Sequence, residues 1–122
     1  MNWSRLAASA LGLAVILGAF GAHGLKGRLD TYAMGIYEKA VFYHFIHAMG
    51  MLLTSTLPKS GALSSLTAAR VCALFAAGIV LFSGSLYLLA ISGISVLGAI
   101  TPFGGLAFIA AWFLLAWSLP SS

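Results

Sequence analysis

The chain has 122 residues, 61% of them hydrophobic and only 7% charged, with a mean hydropathy of +1.06. Soluble domains carry roughly a quarter charged residues, so this composition excludes a water-soluble globule and makes the lipid bilayer the first partner. The formal charge of +4 comes from six Lys and Arg scattered along the chain, not from a basic run, and nucleic acid is not an expected partner.

A span takes about 20 residues, so one domain, 1–122, holds three to five of them. Hydropathy predicts four, at about 6–22, 37–57, 70–92 and 96–119, and hence an all-α integral membrane four-helix bundle. The first runs from Leu6 to Ala22. Arg5 ahead of an apolar run ending in "GAFGA" also resembles a signal peptide. The uncleaved reading is preferred because Ala14, Gly18 and Ala22 form a stripe of small residues at four-residue spacing, the pattern by which membrane helices approach closely.

Asp30 and Thr31 can each accept a hydrogen bond from an orphan N–H, which predicts a helix start there and a second helix of about 27 residues, longer than the hydrocarbon core. Its first turns then stand in the headgroup region, where Tyr32, Tyr37, Glu38 and Lys39 suit the interface. Pro58 and Gly61 in "PKSG" stop it. The third and fourth spans are joined by "SGIS" and so form an antiparallel hairpin. Cys72, the only cysteine, excludes a disulfide or multi-cysteine site and reads as a small buried hydrophobe. Thr101-Pro102 admits a proline kink or a Thr cap with Pro in the first turn; the cap is favoured, with "GISVLGA" as a buried irregular or short helical connector. Trp117 is expected at an interface.

On a helical wheel Tyr37, Ala40, Tyr43, His44, His47, Gly50, Met51 and Thr54 fall within about 140° of one another, while Phe42, Phe45, Ile46, Leu52 and Leu53 lie mostly outside. The histidines therefore point into the bundle. His23 ends the first span, and antiparallel packing brings it towards the start of the second, near Tyr37, Glu38 or His44. Ser83, Ser85 and Tyr87 of "FSGSLY" offer hydroxyls from the third span, and Thr101 another from the fourth.

Three functions compete for these residues. His44 and His47, at i and i+3, share a face and are two imidazoles for a transition metal, or His47 an axial ligand for haem, but no carboxylate or thiolate completes the set. A proton pathway would use imidazoles that titrate near neutrality, yet a charged partner at the midplane is missing. The leading reading is that histidines, tyrosines and serines hydrogen-bond across helices and fix register, each worth about 0.6 to 2 kcal/mol. Adjacent Glu38 and Lys39 do not face each other and read as interfacial charges. "GAFGAHG" lacks the strand context of a phosphate loop, and no Ser-His-Asp set exists, so an enzyme is not expected.

"LGAFGAHGL", "YHFIHAMGML", "LFSGSLYLLAI" and "ITPFGGLAFIAAW" together resemble, in order, the four blocks of the small bacterial inner-membrane family DUF423, which is related to the eukaryotic transmembrane protein 256 group. The resemblance implies a four-span, helix-only membrane protein without a cleaved signal, and implies no particular activity, substrate or cofactor. By position it carries over His23, His47, Ser83, Gly84, Ser85, Tyr87, Thr101, Pro102, Gly104 and Gly105; His44 falls outside the pattern.

The expected polar centre is therefore His23, His47, Ser83, Ser85 and Tyr87, supported by Tyr43, His44 and Thr101, with no metal or cofactor assigned. The expected function is that of a structural or accessory subunit binding another membrane protein or itself. The alternatives are a small transporter or proton pathway and a histidine-based metal or haem redox component. Arg5, Lys59 and Arg70 on one side balance Lys26, Arg28 and Lys39 on the other, so charge gives no orientation. Both termini are placed on one side of the inner membrane, the cytoplasmic one.

Overall fold

Three of the four helices begin where a side-chain oxygen replaces the missing intrahelical acceptor. In the computed structural model, which describes residues 1–121, Asn2 Oδ1 accepts the Arg5 N–H at 3.0 Å, Asp30 Oδ1 the Ala33 N–H at 2.7 Å and Ser64 Oγ the Thr67 N–H at 3.1 Å. These caps open α1 (Trp3–Leu25), α2 (Thr31–Ser60) and α3 (Ser65–Ser92). The fourth helix, α4 (Ser95–Ser118), starts as a 3₁₀ turn over Ser95–Ala99. All four are long and apolar enough to cross a membrane, and no strand forms among the described residues. The protein is an all-α four-helix bundle.

α1 and α3 start earlier than hydropathy places them, at Trp3 rather than Leu6 and at Ser65 rather than Arg70. Hydropathy averages out a polar first turn, whereas a cap marks it. Asp30 caps α2 as expected. Gly61 and Gly93 close α2 and α3 at φ +79° and +71°, the left-handed region that a helix terminus leaves to glycine.

The start of α4 keeps Pro102 in the first turn but not the expected Thr101 cap. Regular α-helix begins at Thr101 with Pro102 in its first turn, yet the Thr101 hydroxyl caps nothing and instead meets Ser85 Oγ on α3 at 2.6 Å. The 3₁₀ connector before it is not buried, which corrects that expectation. It lies at the end of the bundle, where Ile94 and Val96 are exposed.

α2 is the centre. It packs against α1 on one side and α3 on another, while α4 packs mainly on α3. Without a hydrophobic driving force in lipid, such contacts rely on close backbone approach and van der Waals packing. On α1 the buried stripe is Ala7, Ala14 and Gly21 rather than Ala14, Gly18 and Ala22: Gly18 is half-buried and Ala22 exposed. Seven-residue spacing keeps one seam facing a partner that crosses at a shallow angle.

The α1/α2 register is fixed at three levels. Ser4 Oγ meets Ser55 Oγ at 2.9 Å, the Gly18 backbone faces Val41, and Gly21 lies against the Tyr37 ring, whose hydroxyl donates to the Leu17 carbonyl. Tyr37 is thus buried between α1 and α2, whereas Tyr32 is exposed.

The main apolar cluster fills the space between α2, α3 and α4 around Met51, Val71, Phe75, Phe108 and Leu115. Its tightest point is Gly104 of α4, where a Cβ would collide with the Phe82 main chain. Backbone cannot move aside as a side-chain tip can. Gly104→Ala is expected to lower stability by about 1 to 3 kcal/mol through overpacking. Gly35→Ala, where an added Cβ meets nothing within 4 Å, should be neutral or gain up to about 1 kcal/mol from helix propensity. Unfolding in detergent micelles checks both; equal losses at the two positions would show that the α3/α4 contact is not limiting.

Candidate functional site

The wheel assigned the inner face of α2 well. Tyr37, Ala40, His44, His47, Gly50, Met51 and Thr54 are buried and Tyr43 half-buried, whereas Phe42, Ile46 and Leu53 are exposed. What the wheel cannot give is which neighbour each side chain meets.

His44, 2% exposed, pairs across helices: its Nδ1 lies 2.8 Å from the Tyr87 hydroxyl of α3. The Tyr87 ring in turn stands edge-on to Tyr37, with centroids 5.3 Å apart. Tyr87 therefore joins His44, not His47.

His47, 5% exposed, turns inward on its own helix. A carbonyl oxygen can only accept, so Nδ1–H donates to the Tyr43 carbonyl at 2.7 Å and Nε2 carries the lone pair of the neutral ring. The imidazole stacks on Phe108 of α4 at 3.5 Å between centroids and 6° between planes, with Phe75 and Trp112 each at 5.9 Å. Tyr43 packs against Phe82 at 4.6 Å.

The serines tie helices together. Ser83 Oγ donates to the Ala40 carbonyl of α2 at 2.8 Å. Ser85 Oγ donates to the Phe82 carbonyl at 3.0 Å besides meeting Thr101. Cys72 is buried, as expected, with Sγ on the Met51 carbonyl at 3.5 Å.

His23 is not brought to this group. It lies exposed in the last turn of α1, and Gly21 occupies the place against Tyr37. The contacts Ser4–Ser55, Gly18–Val41 and Gly21–Tyr37 set His23 level with the first turns of α2, on the order of 16 Å along the axis from His47. Two residue groups result, His44 with Tyr87 and His47 with its aromatic rings, in place of one centre around His23 and His47. No three His, Cys, Asp or Glu side chains come together among the described residues, so no ready-made metal site is formed by them.

Sequence reasoning missed Phe75, Phe108 and Trp112 as the enclosure of His47. The signal was present on α4, where Gly104, Phe108 and Trp112 recur at four-residue spacing and so share a face. It also missed the π turn at Ile79–Ser83. Buried positions of α3 run Ala68, Val71, Cys72, Phe75 and Gly78, then step five residues to Ser83 before Ser85, Leu86 and Ala90. An extra residue in one turn is what a π turn supplies, and such turns recur at functional sites.

The Ser85–Thr101 bond is expected to contribute about 0.6 kcal/mol, with about 1.7 as the ceiling seen for such bonds in membranes. A double-mutant cycle with Ser85→Ala and Thr101→Val should recover that coupling. Strict additivity of the two losses would show that the hydroxyls do not stabilise each other.

The family model described as protein of unknown function DUF423 matches residues 17–105. The UPF0382 membrane protein YwdK of Bacillus subtilis is 49% identical over 104 residues, covering 84% of this chain and 83% of that protein. UPF0382 membrane proteins of Staphylococcus haemolyticus and Staphylococcus epidermidis are 45% and 47% identical over 103 residues, covering 84% of this chain and 82% of theirs. No solved structure matches. The chain belongs to the DUF423 family, whose relatives are named membrane proteins.

Proposed function

We propose that the protein is a non-enzymatic accessory component of the bacterial inner membrane, a single four-span domain with both termini on the cytoplasmic side, that acts by packing against another membrane protein or a second copy of itself. Most inner polar side chains, Tyr37, His47, Ser83 and Ser85 among them, bond to the bundle itself, and the outer faces are open to a partner. One observation carries the reading: α1 has a second small-residue face on the side away from α2. Ala8, Gly12 and Ala19 recur there at four- and seven-residue spacing, all exposed, and nothing lies within 4 Å of where a Gly12 Cβ would be.

Glycine in a helix interior costs about 1 kcal/mol relative to alanine, and lipid tails need no small residue to pack on. A partner helix does, because small residues let backbones approach closely. The inward stripe of Ala7, Ala14 and Gly21 meets α2 in that way; the outward stripe has no helix of this chain against it. The absence of three converging His, Cys, Asp or Glu side chains among the described residues gives the metal reading no comparable support.

The test is a native pull-down of tagged full-length protein from its own membranes, beside the Gly12→Ile variant. The expected outcome is a stoichiometric membrane partner or a dimer with wild type, reduced at least fivefold in the variant, whose own unfolding midpoint is unchanged. Equal recovery with Gly12→Ile would remove this face from the interaction, and wild-type protein recovered as a lone monomer would overturn the accessory role.

A further inference from the structure

α1 and α3 both lie against α2 but scarcely against each other. The seam between them opens into a crevice of about 460 Å³, walled by Leu13 and Leu17 of α1 and by Ile79 and Val80 of α3. Of its lining residues only Met51 and His44 are buried, so they form its base, with Tyr87 beside His44. The mouth is on the outer surface, where Leu13 and Val80 are exposed.

His44 Nε2 is buried and has no hydrogen-bond partner. The Ala10 backbone of α1 lies near the ring, but not with the distance and angle of a hydrogen bond to Nε2. The proton count of the His44–Tyr87 pair sharpens this. A neutral imidazole and a phenol hold two polar hydrogens between them, and their shared bond uses one. Whichever ring donates, one N–H or O–H is left over beside a largely apolar cavity. An unsatisfied donor is costly in hydrocarbon, so the site is complementary to an acceptor.

Depth selects the acceptor. His44 stands about 20 Å along α2 from the Thr31 start and about 24 Å from the Ser60 end, at about 1.5 Å per residue, which is close to mid-membrane. The ester carbonyls of a phospholipid lie at the edge of the hydrocarbon core, about 15 Å from its centre. A lipid that brings a carbonyl to the middle of the bilayer is one whose head is itself nearly apolar.

We propose that this crevice binds an isoprenoid quinone, with its ring between α1 and α3, one ring carbonyl accepting the unspent hydrogen of the His44–Tyr87 pair, and its tail leaving past Leu13 and Val80 into lipid. The proposal concerns binding only and is independent of the outer face of α1. Nε2 exposes less than 1 Å², so entry displaces a neighbouring apolar side chain at the seam.

The experiment follows the melting of full-length protein in detergent micelles with increasing decylubiquinone, beside decylbenzene, which has a ring and the same tail but no carbonyl. Wild type should show a saturable rise in Tm of several degrees with the quinone only. His44→Phe, which keeps the ring volume but removes the nitrogens, should weaken binding about tenfold, the equivalent of about 1.4 kcal/mol. Leu13→Trp fills the mouth from an exposed position and leaves His44 intact; it should weaken binding by at least as much, and it decides the matter if His44→Phe fails to fold. An equal response to decylbenzene would mean the crevice merely holds a hydrocarbon chain and would overturn the proposal. So would quinone binding undiminished in the folded variants, or no saturable shift at all.

Discussion

Hydrocarbon supplies no water, so a polar side chain carried into the bilayer has to find its partner on protein, and that constraint falls mainly on α2. Its inner face buries Tyr37, His44 and His47, besides Thr54, whose hydroxyl has no partner. No single neighbouring helix can serve them all. α1 offers the Leu17 carbonyl to Tyr37, α3 offers Tyr87 to His44, and α4 lays the Phe108 ring against His47. The reverse also holds, since α3 spends Ser83 on the Ala40 carbonyl of α2. A helix with such a face must be central. Each bond is worth only about 0.6 to 2 kcal/mol, less than the packing around it, but bonds are directional where packing is not, and together they fix how far each neighbour slides along α2.

The glycines and the π turn of α3 act on the same problem from the backbone side. An extra residue in one turn rotates everything after it by about 100° relative to an unbroken helix. Before the π turn, Phe75 and Gly78 face the cluster shared with α4; after it, Ser83 reaches α2 and Ser85 reaches Thr101 of α4. With a continuous helix the four-residue step from Gly78 would put Phe82 inside and turn Ser83 away. Instead the Phe82 main chain abuts Gly104, a contact that no residue with a Cβ permits without displacement. The irregular turn and the glycine opposite it are parts of one close crossing.

The sequence revealed what depends on one helix at a time. Span number, the Asp30 cap, the inward arc of α2 and the burial of Cys72 follow from periodicity and hydropathy alone, and each is found in the structure. It was weaker on what depends on two helices. The small-residue stripe of α1 was placed on Ala14, Gly18 and Ala22, because a four-residue rule ignores the shallow crossing that brings Ala7, Ala14 and Gly21 inward. His23 was drawn towards His47 because chain order says which ends are near but not at what level, and the level is set by contacts such as Gly21 against Tyr37. Thr101 looked like a cap because its own helix start needed one, while its hydroxyl was taken by Ser85.

The separation of His44 from His47 shows the same limit at one site. A wheel treats them alike, since both point inward. They differ in what stands opposite. α4 faces His47 with flat rings that close over it, and its one donor is spent on the Tyr43 carbonyl. α1 approaches α2 through alanine and glycine, which brings the backbones together but leaves little side chain to reach across to α3. The seam between α1 and α3 therefore stays open, and the buried nitrogen without a partner lies along it. The small residues that make α1 pack tightly on α2 are the same ones that leave His44 Nε2 buried without a partner.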